Sequence, residues 1–323
     1  MAFRRQPRTF PLALLLAGCL LTTMPRLWAQ APAAETVQQR NGIPGLPTRT
    51  ADLPVASQNL GEIKVVEEYP KPEMLTLTTS QEFFYTDNVL YTHHDPQGSS
   101  GYEGSTTASL VPYSVRDWTP RISAQYNMYR YDTVPTGDFD NEQLALSSTY
   151  MFGSDRSWTW AAVADLSRYT ATHQDGREYY REVVYDNQVR HVAQLRGDTP
   201  LFLILTYDVA YHQASPDAID YLSNGLDVAL AYSPTNTVTI APYLNPCVRN
   251  FLTNAYMERE QITYYQHDRI DLHLAAGLDV TWQPCPYMAL ETSIYHVNDY
   301  SNNSGLSFNY TIPGITLTGE VRF

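Results

Sequence analysis

The chain lacks most of the features by which a sequence of 323 residues declares a chemistry. Beyond its first 30 residues it has no run of 18 apolar residues, so no helix there can span a membrane. It has no basic run, and 21 Lys and Arg stand against 34 Asp and Glu, a formal charge of −13. Without a cationic patch the counterion release that dominates nucleic-acid affinity is missing, and nucleic acid is excluded as the expected partner. Three cysteines in a chain this long make no disulfide framework. The 16 glycines are scattered and none builds a phosphate-cradling loop, so no nucleotide or other cofactor is expected.

What is present begins with an export signal. Arg4, Arg5 and Arg8 precede an apolar stretch from Leu12 to Leu21, and Leu27-Trp28-Ala29 offers a small-residue exit. Residues 1–29 therefore read as a secretory signal peptide, whose removal leaves 17 basic against 34 acidic residues. Leu16-Ala17-Gly18-Cys19 also reads as a lipoprotein cleavage box, but Leu20, Leu21 and Met24 continue the apolar run, which favours a plain signal. Residues 30–72 carry Pro32, Pro44, Pro47, Pro54, Pro70 and Pro72 and little periodic pattern, as an extended periplasmic leader would.

From about residue 73 to 323 the sequence alternates. Ile270, Leu272, Leu274, Ala276, Leu278, Val280 and Trp282 occupy every second position, with Asp271, His273, Asp279 and Thr281 between them. Period two gives one apolar and one polar face. The pattern recurs at Leu201 to Tyr211, at Leu226 to Tyr232 and at Ile122 to Met128. These runs are about 10 to 14 residues long, longer than the usual strand of a soluble sandwich and long enough to cross a bilayer.

The breaks between runs alternate in size. Tight ones fall at 117–120, 153–156, 197–200, 233–236 and 283–286, and looser ones at 86–104, 133–141, 170–178, 214–219, 251–260 and 299–305. Eleven connections with the short ones on one rim predict an all-β, antiparallel, up-and-down transmembrane barrel of about twelve strands. Ile315, Leu317, Gly319, Val321 and Phe323 end the chain inside an amphipathic strand. This ending resembles the signal by which bacterial outer-membrane barrels engage their assembly machinery, with Phe323 as its last element. Trp118, Trp158, Trp160, Trp282, Tyr287 and Phe323 fall near the short-turn ends. Tyr85, Tyr131, Tyr169, Tyr179, Tyr211, Tyr265 and Tyr300 fall near the long-loop ends, as two interfacial belts.

Three segments carry a family resemblance: Phe84-Tyr85-Thr86-Asp87-Asn88-Val89, Tyr300-Ser301-Asn302, and Gly319-Glu320-Val321-Arg322-Phe323. They resemble the broad group of outer-membrane β-barrel porins over residues 74–323, although Pro313-Gly314 within the final strand departs from the usual ending. The resemblance implies a porin-like barrel in the outer membrane of a Gram-negative bacterium, in contact with its lipid, and implies no catalytic residue.

Chemistry is then expected on the inward face. By parity that face carries Glu82, Arg121, Asp165, Asp186, Arg190, Asp208, Asp227, Asp271, His273, Asp279, Glu291, Glu320 and Arg322, with charges confined to it because lipid-facing ones are costly. The excess of acids suggests a lumen for small cationic or polyhydroxyl solutes, with Asp208, Asp227, Asp271 and Asp279 acting together. A twelve-stranded barrel is intermediate between filled and open, and the sequence leaves open whether the lumen is plugged, how the chain oligomerises and which solute crosses. Two alternatives fit the same architecture: a membrane-embedded lipid hydrolase, and a barrel serving as adhesin or polymer exit. The first is disfavoured because His296 and Ser301 are five apart, which puts them on opposite faces of a strand. His93-His94-Asp95 could ligate a metal but reads better as a solvated loop. No enzyme and no metal site are expected.

Overall fold

A computed structural model describes residues 75–322, apart from 94, 116, 154–156, 173–176, 197–198, 216–219, 236, 254–255, 260–261, 266–267 and 286. The signal segment, the 30–72 leader, Tyr179 and Tyr265 as side chains, and Phe323 therefore lie outside the described residues, as does the side chain of Arg322.

Twelve strands close into one antiparallel barrel: β1 (Leu75–Thr86), β2 (Ser99–Leu110), β3 (Trp118–Tyr131), β4 (Phe139–Phe152), β5 (Trp158–Ala171), β6 (Arg177–Arg196), β7 (Thr199–Ser215), β8 (Tyr221–Thr235), β9 (Val238–Phe251), β12 (Ile270–Cys285), β13 (Met288–Ser301) and β14 (Phe308–Arg322). Each pairs with the next, and β14 pairs with β1 from Thr76↔Arg322 to Phe84↔Gly314, so the sheet has no free edge. β14 runs through Pro313-Gly314 without a break. The connection after β9 is longer than the sequence suggested: it runs to residue 269 and carries a hairpin of its own, β10 (Tyr256–Arg259) with β11 (Ile262–Tyr265). The first connection is shorter, because β2 begins at Ser99 and brings Glu103 into the wall.

Parity decides which side each residue meets. On β12, Asp271, His273, Ala275, Asp279 and Thr281 are buried inside while Ile270, Leu272, Leu278, Val280 and Trp282 face out. The outer wall carries Phe83, Ile122, Leu144, Leu146, Leu166, Leu226, Ile294, Ile315 and Leu317, all exposed. An apolar surface this continuous, on a closed wall whose strands are all paired, belongs in lipid.

Two expectations need correction. Tyr131 and Tyr169 point inward and are buried, at 8% and 1% exposure, so the upper belt consists of Tyr85, Tyr211 and Tyr300 among the described residues expected there. Both fall on the inward parity of their strands, and aromatic content alone does not report parity. Charges are also not confined to the interior: Arg130, Asp140, Glu142, Arg168 and Arg181 take outward positions at the long-loop ends of β3 to β6. There the lipid chains end, and the penalty falls with them.

Candidate functional site

The interior of the wall is the candidate site, and it has two halves. Glu82, Arg121, Asp165, Asp186, Arg190, Asp208, Asp227, Asp271, His273, Asp279, Glu291 and Glu320 all occupy inward positions, and Arg322 is in register with inward Thr76. They are not one cluster.

Toward the long-loop rim the interior is packed. The 87–98 connection folds inward, and Val89 and Tyr91 are each only 2% exposed. Val89 packs with Tyr129, Tyr131, Val134, Phe139, Tyr169 and Tyr180. Tyr91 lies edge-on to Phe308 and Tyr310, at 5.4 and 4.8 Å between ring centroids, in a second cluster with Tyr295, Val297 and Ile312. Asn88 ties this loop down, donating from Nδ2 to the carbonyls of Thr92 (2.9 Å) and Asn309 (3.0 Å) and accepting from Thr92 N–H through Oδ1 (3.0 Å). Tyr91 adopts φ of 53°, in the left-handed region that costs a bulky residue energy, so the packing around its ring holds the backbone there. Burial, and next the neighbouring Tyr131, push its hydroxyl pKa well above the ordinary phenol value.

Ion pairs share this tier. Asp299, buried, accepts from Arg249 Nη1 at 3.3 Å and lies 3.1 Å from His273 Nδ1. Arg269 grips Asp271 with Nε (3.0 Å) and Nη2, and its guanidinium lies 4.0 Å from the Phe251 ring centroid. Glu182 accepts from Tyr180 (2.6 Å) and Tyr169 (3.3 Å), and His212 stacks on Tyr221 at 4.2 Å. Sequence reading missed Arg249, Arg269, Glu182, His212 and Asp299 as a network. Asp299 sat in what read as a loop, and Pro242 and Pro246 thin the alternation that would have flagged Arg249.

Below this tier four carboxylates form an arc. Asp165 pairs in register with Val184, Asp186 with Ala210, and Asp208 with Gly225. Each next aspartate lies two residues nearer the short-turn rim than that partner, and because barrel strands tilt, that stepwise offset keeps Asp165, Asp186, Asp208 and Asp227 at nearly one depth on β5 to β8. Diagonal neighbours of this kind stand roughly 7 Å apart. Gln143 and Ser167 hydrogen-bond Asp165, and Gln188 donates to Asp186 at 2.7 Å. Gly225 makes room for the Asp208 carboxylate, since a Cβ there would fall inside its contact distance. Asp186, Asp208 and Asp227 are partly exposed, as are Arg121, Arg190, Thr206, Glu291 and Glu320, so the lower interior is less tightly packed than the upper tier. Of the four aspartates expected to act together, Asp208 and Asp227 do lie side by side. Asp279 stands apart on β12, and Asp271 is eight residues above it, held by Arg269.

Thr78 donates to Glu320 at 3.5 Å near the short-turn rim. His296 faces out and contacts Thr311, whereas Ser301 takes the inward parity, so the two do not meet. His93 lies 3.0 Å from the Ser307 carbonyl, and His94 lies outside the described residues. Among the described residues no group of three or more His, Cys, Asp and Glu is placed to hold a metal ion.

No family model and no curated protein matches the sequence. Solved structures do match the fold. An outer-membrane channel from Pseudomonas putida F1 superposes with a TM-score of 0.54 at 11% identity, over 80% of this chain and 100% of that one. The KdgM porin in complex with disordered oligogalacturonate covers 75% of this chain and 98% of its own at 9% identity and a TM-score of 0.40. The TodX monoaromatic hydrocarbon channel covers 78% and 91% at 10% identity and a TM-score of 0.40. What the first of these shares with the present chain is the fold, a closed antiparallel up-and-down β-barrel of the kind found in that outer-membrane channel.

Proposed function

We propose that the protein is a gated channel for small solutes, with a preference for cations. The observation that carries this reading is a lower interior lined by the Asp165, Asp186, Asp208 and Asp227 arc, beneath the inward-folded 87–98 loop. Acids concentrated inside a low-dielectric wall raise the local cation concentration, and salt screens the effect over about 10 Å at 0.1 M. Neutral polyhydroxyl solutes are compatible with the same hydroxyl- and amide-rich interior. The 87–98 loop is the gate because, among the described residues, it is the connection that places a side chain in both upper clusters, Val89 in one and Tyr91 in the other.

Planar-bilayer recordings test this. The intact protein is expected to give rare, small, cation-biased steps, and Asp208→Asn with Asp227→Asn is expected to shift the reversal potential toward zero, most clearly at low salt. Asp271→Asn is expected to leave selectivity unchanged, because Arg269 already neutralises that charge inside the upper tier. Absence of conductance both in the intact protein and in a variant with residues 88–96 replaced by a Gly-Ser linker would sink the channel reading.

A further inference from the structure

On the outer wall, uncharged polar side chains gather in one sector. On β9 from Val238 to Val248 and on β12 from Ile270 to Trp282, every outward side chain is apolar. On β13, β14, β1 and β2 the outward positions carry Thr292, His296, Thr311, Thr79, Gln81 and Thr106, all exposed except the half-buried Thr311. This is the sector in which the sheet closes. Thr79 is in register with Thr106, and Gln81 lies between Leu317 and Gly104. His296 Nδ1 contacts the Thr311 hydroxyl at 2.9 Å. Gln81 has no hydrogen-bond partner among the described residues.

Depth makes that arrangement costly. From Leu75 to Tyr85 of the long-loop belt, β1 advances ten residues. At about 3.3 Å each and a tilt near 40°, this is roughly 25 Å, the height of the apolar band of such barrels. Gln81 stands four residues below Tyr85 and six above Leu75, and His296 likewise stands four below Tyr300. Acyl chains offer neither donor nor acceptor, so an amide at this depth is unmatched until protein supplies the match. Outward polar groups elsewhere in the band are single. Ser148 accepts from Trp118 and Asn224 from Tyr207, while Asn187 on β6 stands among Ala162, Val209, Tyr185 and Val189.

The chemistry identifies the occupant. An amide carries donor and acceptor together, so a second Gln81 presented at the same depth satisfies the first. Copies of one chain insert the same way up, and a two-fold axis along the membrane normal makes each residue meet the partner at its own level. Beside Gln81, β14 presents Ile315, Leu317 and Gly319, an uncharged strip against which a second wall can close. Four strands about 4.8 Å apart and about 25 Å of band give about 500 Å² per copy, or about 1,000 Å² in all, the size at which specific interfaces begin. We propose that the face formed by β13, β14, β1 and β2 docks a second copy of this chain, as a two-fold dimer centred on Gln81. The inference needs only that the barrel spans a bilayer, and it is independent of what the lumen conducts.

The test places the full-length refolded protein in phosphatidylcholine vesicles over a range of dilutions and reads the dimer fraction by stepwise photobleaching of one dye on the exposed Cys285 of each chain. Gln81→Leu is expected to weaken association about tenfold and Gln81→Asn to retain part of it, whereas Asn187→Leu is expected to change nothing. A second readout uses a Cys285→Ser background. There Gln81→Cys is expected to form an intermolecular disulfide under mild oxidant, and Asn187→Cys is not. Heat-modifiable migration on gels checks that each variant is folded. Three results overturn the proposal: a chain that stays monomeric at every density, which leaves lipid on the patch; an affinity that Gln81→Leu does not alter; and cross-linking from position 187 as efficient as from position 81, which moves the interface to β6.

Discussion

Asp299 is the residue on which the upper tier turns, because one buried carboxylate faces both Arg249 and His273. Removing a single member of a buried charged set leaves the others desolvated without compensation, at about 3–5 kcal/mol. Asp299→Ala is therefore expected to lower the urea midpoint of the folded barrel markedly, and Asp299→Asn less, since the amide oxygen still accepts. The cysteines make a second residue-scale case. Cys247 is buried in register with His273, and Cys285 is exposed twelve residues further along that strand, roughly 40 Å at about 3.3 Å per residue. A disulfide needs Cα atoms within about 7 Å, so mass spectrometry is expected to find both thiols free, with maleimide on Cys285 alone in the folded protein. Residue orientation was legible wherever alternation was strong: Asp271 and Leu272 were assigned to opposite faces by period alone. It failed for Tyr131 and Tyr169, where a helpful aromatic fits either face, and for Asp299, one residue past an assumed loop boundary.

At the scale of elements, the strands were legible and the loops were not. A strand states its two faces in its own sequence, because each inward residue is flanked by outward ones. Val89 and Tyr91 carry no such marker. Their burial depends on Tyr129, Phe139, Phe308 and Tyr310, which arrive from β3, β4 and β14 and are remote in the chain. The β10–β11 hairpin was missed for a related reason, since four-residue strands are too short to establish a period. Loop 87–98 invites a direct test: Tyr91→Ala, with Val89→Ala, is expected to raise open probability severalfold in bilayer recordings while leaving the cation preference intact, because the Asp arc lies below the plug. Selectivity that changes along with open probability would place the selectivity determinant in the loop instead.

For the whole molecule, closure is the central fact. β1 and β14 meet over nine register pairs, so the wall is complete only when the last strand is in place. If the terminal Phe323 is the assembly signal its position resembles, its deletion is expected to lower the outer-membrane yield of heat-modifiable barrel and to leave aggregates in the periplasm. Unchanged yield would separate assembly from that residue. Strand number and closure were legible from the spacing of turns, whereas the filling of the interior was not, because lumen packing is a property of twelve strands at once. That filling has a thermal consequence. Any opening of the mouth must expose the buried side chains of Val89 and Tyr91 and the aromatic faces beneath them to water. Hydrating apolar surface carries a positive heat capacity, so the enthalpy of opening itself changes with temperature. The logarithm of the open-to-closed ratio plotted against reciprocal temperature is then a curve with a minimum rather than a line, and the barrel is least permeable within a limited band of temperature, becoming leakier on cooling as well as on heating.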